Sequence, residues 1–351
     1  PLSIFSVNLL SGNLLLLASI LVFAAILVTK VGTRFGVPSL LLFLVVGMIA
    51  GKDGLGLKFD EFDIAGAIGH FAMTIILFTG GLETSLSETK PVMKQGIILS
   101  TIGVFLTSLI TGLFVYLCVG KYLGLIGSSF IGCLLLASVM GSTDSASVFS
   151  VLRGRKLHLR EQLGPMLELE SGSNDPMAYI LTIILVQVIT SLQAGMGTTG
   201  QLIWTGFRVF VVQMLVGILV GFGVGFAAKW VLERINLPGH ALYSILVLSI
   251  AFFANGLASL LFGNGLLALY ITAIIIGNKV DLPEKKDILK FFDGMTWLMQ
   301  LLMFLMLGLL ARPSQMLGVL LPALLIGLFM MFVSRPASVF LCLLPFRDLS
   351  V

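Results

Sequence analysis

Apolar residues along this chain run in long blocks, separated by short polar or glycine-containing stretches, and show no strict alternation. Stretches such as Leu9 to Val28, Ile97 to Val119, Ala178 to Thr190 and Phe291 to Leu310 approach or reach the roughly 20 residues that cross a bilayer as helix. Hydrocarbon offers no water to an open backbone, and without a period of two the blocks do not read as barrel strands, so helices are predicted. Eleven are expected, near 9–29, 38–51, 62–82, 95–119, 127–152, 162–190, 204–228, 240–261, 265–277, 291–310 and 316–344, the second and ninth being short. The fold class is an all-α polytopic membrane protein.

Composition agrees: of 351 residues, 58% are hydrophobic and only 11% charged, which excludes an ordinary soluble domain. A net charge of +4 would elsewhere point to an acidic partner, but in a membrane chain Lys and Arg report topology, and no nucleic-acid partner is expected. The loop "RGRKLHLR" (153–160) carries four of them and is placed in the cytoplasm. Alternating sides outward from it puts fifteen of the 21 Lys and Arg residues inside and the N-terminus outside.

Cys118, Cys133 and Cys342 lie in apolar runs without ligand-like spacing and read as small buried hydrophobes. His70, His158 and His240 are scattered, and neither a phosphate-binding Gly-Lys-Ser/Thr loop nor a His-Glu-x-x-His zinc motif is present. No cofactor and no ATP coupling are therefore expected.

Two polar stations break the apolar background. The fifth span carries "ASVMGSTDSASVFSVL" (137–152), where Gly141, Ser142, Thr143, Asp144, Ser145 and Ser147 weaken the helix by competing for backbone hydrogen bonds. A break is expected near 141–145, exposing carbonyls and half-helix ends. Small residues alone would also suit close helix packing, but a carboxylate at mid-span costs on the order of 3 kcal/mol, so Asp144 favours a functional reading.

The sixth span carries "ELESGSNDPMAY" (168–179). Helical spacing stacks Glu170 on Asn174 and Ser171 on Asp175, giving two adjoining polar tracks, while Pro176 leaves the carbonyl of Gly172 without its usual donor. Asn174 offers an uncharged amide oxygen. Asp175 offers a carboxylate that holds either a proton or a small hard cation. Glu170 needs a partner if buried and ionised, and Arg335 in "FVSRPASVF" of the eleventh span is the candidate for a structural ion pair. Glu168, nearer the end of its helix, reads as solvated or lining a funnel.

"STD" in a breakable span followed by "ESGSND" in the next, with "ILFTGGLETSL" (76–86) upstream and a late "SRP", resembles the first class of monovalent cation/proton antiporters, the NhaP-like proteins. The wording "GSTDSASVFSVL" and "LELESGSNDPMAYILT" is most similar to the bacterial potassium/proton branch. The resemblance implies that Asp175 is the essential ion-binding and proton-carrying aspartate, and that Asn174 is the asparagine associated with electroneutral exchange. It implies further that Thr143 and Asp144 occupy the unwound helix, that Ser171 supplies a ligand, and that Glu170 and Arg335 hold the core together.

The family fold has about 13 helices with inverted repeats, in which a core moves against a dimerisation domain. Carried onto this chain, it implies scaffold and dimerisation helices in 1–94, core transport helices in 95–190, connecting and dimerisation helices in 191–310 and the start of a second core half in 311–351. The family's second broken helix would follow beyond Val351, so a longer chain is expected, with a possible C-terminal regulatory domain. A homodimer in the bacterial cytoplasmic membrane is implied as well.

The expected activity is one-for-one exchange of a proton for K⁺, or for Na⁺ in the alternative reading, at Asp175. A channel or a sodium-coupled symporter would also use a broken helix and an acidic site, but neither needs a titrating carboxylate as its coupling device. Two aspartates on adjacent helices also describe intramembrane aspartyl proteases, and "LPALL" (321–325) contains their Pro-Ala-Leu tripeptide. Asp144, however, sits in "GSTD" and not in Gly-x-Gly-Asp, and Asp175 follows Asn where those enzymes have Tyr.

Overall fold

The structure, a computed structural model, describes residues 12–32, 37–124, 129–143, 159, 162–281 and 285–346. Every regular element among them is helical. We number the spans α1 (Gly12–Gly32), α2 (Ser39–Ala50), α3 (Phe62–Glu83), α4 (Leu86–Tyr122), α5 (Phe130–Val139), α6 (Leu163–Gln193), α7 (Thr199–Leu232), α8 (His240–Leu260), α9 (Gly265–Lys279), α10 (Lys285–Leu310) and α11 (Pro313–Leu343). Seven are long and apolar enough to cross a membrane, while α1, α2, α5 and α9 supply shorter apolar helices. A helix stands at each of the eleven expected places, though of the fifth, expected over 127–152, only Phe130–Val139 is helical among the described residues. The fourth begins nearer the N-terminus than its apolar run, because Pro91 is accommodated in a 3-10 turn that continues into the span.

The chain gathers into two compact units. One holds the described residues of Pro1–Ile76 and Lys290–Leu320; the other holds those of Leu77–Ser145, Leu159–Leu289 and Leu321–Val351.

In the first unit, Leu21 and Ala25 of α1, Phe43 and Val46 of α2, and Leu301 and Leu305 of α10 share one buried cluster. The α2–α10 approach is backbone to backbone. A Cβ added to Gly47 would lie 2.2 Å from the Leu305 carbonyl oxygen, and one added to Gly308 would lie 2.2 Å from that of Leu44. Close contact of this kind is how helices associate where lipid removes the hydrophobic drive.

In the second unit α7 lays Gly217, Gly221 and Gly225, four residues apart, against α9. Thr272 of α9 adds a 3.1 Å hydrogen bond to the Gly221 carbonyl. α9 is short and buried along most of its length, including Leu266, Leu269, Tyr270 and Ile276. Its first turn is capped by Asn264, whose Oδ1 accepts from the amides of Leu266 and Leu267. α4 and α11 are not uniform: π-helical turns occupy Leu99–Gly103, Val115–Tyr122 and Met330–Ser334. The last of these immediately precedes Arg335 and re-aims the residues after it.

Cys133 and Cys342 are buried as expected, whereas Cys118 is only half-buried. The basic loop 153–158, with His158, lies outside the described residues, as does Arg160.

Candidate functional site

α5 ends at Val139, and Gly141, Ser142 and Thr143 follow without helical geometry. The sequence explains the stop: after Ser138, which turns its hydroxyl back on the Leu135 carbonyl, come a glycine and two hydroxylated residues. Asp144, the expected companion of Asp175, lies outside the described residues.

α6, by contrast, is continuous from Leu163 to Gln193 and passes through Pro176. The two expected polar tracks form. Asn174 Nδ2 donates to Glu170 Oε1 at 3.2 Å, one turn earlier, and Ser171 and Asp175 face the non-helical segment after α5.

Thr143 is the hub of the contacts between α6, α11 and that segment. Its Oγ1 accepts from Asn174 Nδ2 at 2.6 Å and from Arg335 Nη2 at 3.1 Å, and lies 3.2 Å from Ser171 Oγ. Its carbonyl accepts from Ser171 Oγ at 2.9 Å. A hydroxyl has two acceptor lone pairs and one proton, so two donors occupy the Thr143 oxygen and its remaining capacity points at Ser171. Arg335 Nη2 also reaches Glu170 Oε1 at 2.8 Å, and both members of that ion pair are largely withdrawn from solvent. Among the described residues Glu170 is the acidic partner of Arg335.

Asp175 sits beside this knot. Its Oδ1 accepts a hydrogen bond from the Ser142 hydroxyl, and Ser142 Oγ lies 3.5 Å from Asn174 Oδ1. A carboxylate, an amide oxygen and a hydroxyl therefore converge, with the amide buried completely. The structure thus assembles Thr143, Glu170, Ser171, Asn174, Asp175 and Arg335. It adds Ser142, which the sequence placed in the polar run but not among the ligands. Helical spacing could not assign it, because Ser142 belongs to the segment where the helix has stopped.

Two further residues back the site from α9. The Tyr270 hydroxyl bonds Ser173 and lies 3.4 Å from Thr84 Oγ1, while a Cβ on Gly172 would come within 2.6 Å of the Tyr270 oxygen. Asn264 Nδ2 reaches the Pro176 carbonyl at 3.4 Å. An aromatic and an amide in an apolar helix gave no sequence signal of contact with α6.

Apolar helices that close around a carboxylate, an ion pair and the end of α5 define a polytopic membrane protein with a charged site among its helices. Comparison with known proteins narrows the class. The profile of the family described as sodium/hydrogen exchanger, transmembrane, matches residues 18–350, and this chain belongs to that family.

Among curated relatives, the K⁺/H⁺ antiporter NhaP2 of Shewanella sp. strain ANA-3 is 37% identical over 340 residues, covering 97% of this chain and 56% of that protein. The K⁺/H⁺ antiporter NhaP of Alkalimonas amylolytica is 37% identical over 334 residues, covering 95% and 55%. The chain therefore spans a little over half the length of these relatives. The structure of the sodium proton antiporter MjNhaP1 from Methanocaldococcus jannaschii at pH 8 superposes with a TM-score of 0.79 at 22% identity, covering 95% of this chain and 81% of that one. It shares the fold.

Proposed function

We propose that this chain forms part of an electroneutral cation/proton antiporter, selective for K⁺, in which Asp175 binds one proton or one cation in turn. The observation that carries the reading is the convergence of the Asp175 carboxylate, the Asn174 amide oxygen and the Ser142 hydroxyl beside the Glu170–Arg335 pair. Arg335 is engaged by Glu170 and Thr143, while Asp175 is met by the neutral hydroxyl of Ser142. A carboxylate that meets a hydroxyl and lies beside an amide oxygen has the hard oxygen donors that a proton or an alkali cation takes.

The ligand set we infer is the Asp175 carboxylate, the Asn174 amide oxygen and the Ser142 hydroxyl. Thr143, Ser171 and Asp144 complete it once the bonds that tie Thr143 are rearranged. Asn174 contributes no charge, so cation and proton replace one another on a single acid and one charge moves each way. Alternating access follows if the helices around Asp175 form the moving core and other helices the dimerisation domain of a homodimer in the cytoplasmic membrane, with the N-terminus outside. Glu170 and Arg335 hold that core and take no part in the exchange.

The preference for K⁺ rests on relatives named as K⁺/H⁺ antiporters at 37% identity. Na⁺ is the second reading, favoured by a structural neighbour described as a sodium proton antiporter. Proteoliposomes loaded with a pH-sensitive dye and titrated with K⁺, Na⁺ and Li⁺ test both. Dequenching on cation addition, strongest for K⁺, is the expected result. Cation flux without proton counterflow would defeat exchange in favour of a channel.

A further inference from the structure

α4 and α11 are in register along a seam that the exchange chemistry above does not use. Gly103 faces Cys342, since a Cβ on the glycine would sit 3.7 Å from the cysteine sulfur. Ser334 Oγ accepts from Thr111 Oγ1 at 2.8 Å and donates to the Thr107 carbonyl at 3.0 Å. Ser338 stands one helical turn after Ser334 and one before Cys342, which puts it level with Thr107.

Thr107 and Ser108 have no solvent exposure and Ser338 has 1%, yet none of their three hydroxyl oxygens has a hydrogen-bond partner among the described residues. Leaving such groups unsatisfied costs on the order of 1–3 kcal/mol each. Thr107 and Ser338 share one level of the α4–α11 seam, while Ser108, the next residue round α4, faces the end of α5.

The hydroxyls border the ion site on both sides. Ser108 Oγ faces Gly141, where an added Cβ would lie 3.0 Å away, and Gly141 is the residue before Ser142. Ser338 lies three positions beyond Arg335 on the same helical face. A Cβ at Gly103, one turn before Thr107, would meet only ordinary contacts, so the seam is not tightly closed there, and the Thr107 and Ser338 hydroxyls supply two of the two to four polar partners that a buried water takes. Further along, the seam closes on the apolar cluster of Val92, Leu99, Met166 and Cys342.

We propose that Thr107 and Ser338 hold buried water between α4 and α11, and that this water, through the Ser108 hydroxyl beside Gly141, relays protons for the Ser142–Asp175 pair. The relay rests on the exchange reading; the water site does not. A proton leaving Asp175 passes to the Ser142 oxygen as that hydroxyl releases its own proton to the Ser108 oxygen, whose proton passes to the water. The water in turn releases one onward, so only O–H bonds form and break and every hydroxyl is regenerated.

The double variant Thr107→Val, Ser338→Ala deletes two hydroxyls at nearly constant volume. In proteoliposomes of the full chain it is expected to slow exchange severalfold, with an unchanged half-saturating cation concentration, a melting temperature no lower than wild type and a larger slowing in D₂O. Unchanged exchange overturns the relay. So does a loss of rate matched by a loss of melting temperature, which marks packing alone. Gly103→Ala, which narrows the seam and keeps all three hydroxyls, should slow exchange in the same way, and full activity in that variant counts against the proposal. Separately, a high-resolution structure of the full chain should show solvent within hydrogen-bond reach of Thr107 Oγ1 and Ser338 Oγ. A dry seam defeats the water site whatever transport does, whereas a wild type that exchanges no cation for protons defeats the functional reading and leaves this structural test standing.

Discussion

Ser142 and Asp175, 33 residues apart in the chain, meet hydroxyl to carboxylate where the first helix of the site has ended and the next runs unbroken. Under the proposed exchange at Asp175, the contact makes Ser142 a ligand or a competitor of the ligand. Ser142→Ala is expected to weaken the apparent cation affinity about fivefold, the equivalent of roughly 1 kcal/mol for one hydrogen-bonding oxygen. Ser142→Thr should retain most of it. The half-saturating cation concentration in the dye assay is the measurement, and equal values for all three proteins would remove Ser142 from the site.

Asp175→Asn removes the carboxylate that we propose exchanges proton for cation and leaves shape and the Asn174 contacts in place. Exchange should fall to the level of empty liposomes, while the protein still inserts and elutes as a single species. Retained exchange would show that another acid carries the ion.

The Arg335–Glu170 pair is expected to act on stability first. Removing one partner of a largely buried pair costs about 3–5 kcal/mol, because the other charge is stranded. Arg335→Ala should therefore lower the thermal melting point in detergent sharply. Arg335→Lys should recover only part of the loss, since an ammonium cannot reproduce the fork of donors that serves Glu170 and Thr143 from one side chain. A small effect of Arg335→Ala would show the pair to be dispensable.

Gly47 and Gly308 test the packing of the first unit. Alanine at either position would overlap a carbonyl oxygen of the facing helix, so α2 and α10 must separate. A loss of about 1–3 kcal/mol is expected for each, with little gained from combining them, because both relieve the same contact. Thermal melts of the two single variants and the double variant provide the comparison, and additive losses would argue that the helices do not meet there.

Outside the spans, Asp53 accepts hydrogen bonds from the Ser314 hydroxyl at 2.6 Å and the Ser314 amide at 2.9 Å. Those bonds, aided by the charges of Arg312 and Lys52, hold its carboxyl below the ordinary value of 3.8. A depressed acid stabilises the folded state fully above its ordinary value and loses that contribution as the pH falls through the native one. The tether between the loop after α2 and the start of α11 should thus be intact at neutral pH and loosen below about pH 4. Amide exchange at Ser314, corrected for its intrinsic pH dependence, should show protection lost in that acid range in the wild type. Asp53→Ala should lack the protection at every pH; wild-type protection in that variant would refute the tether.

Much of the architecture was legible before any coordinates. Blocks of apolar residues of bilayer length leave helices as the only spanning structure, so a helix appears at each expected place, seven of them long and apolar enough to cross a membrane. The pairing of Glu170 with Asn174 was legible too, because four residues is one turn and α6 stays helical through Pro176. Local spacing does not reach across the chain. Thr111 and Ser334 are 223 residues apart, and nothing in either run of sequence announces that their hydroxyls bond. Tyr270 behind Gly172 is another such case: a tyrosine in an apolar helix says nothing about which glycine it will fill.

The sequence by itself determined the class of fold, the positions of the spans and the identity of the acids placed in them, since these follow from hydrophobic length, charge cost and helical period. Tertiary structure decided which acid meets which partner. Arg335 goes to Glu170 and Thr143, and Ser142 goes to Asp175, because the end of α5 and the π-helical turn before Arg335 aim side chains in directions that no regular period encodes.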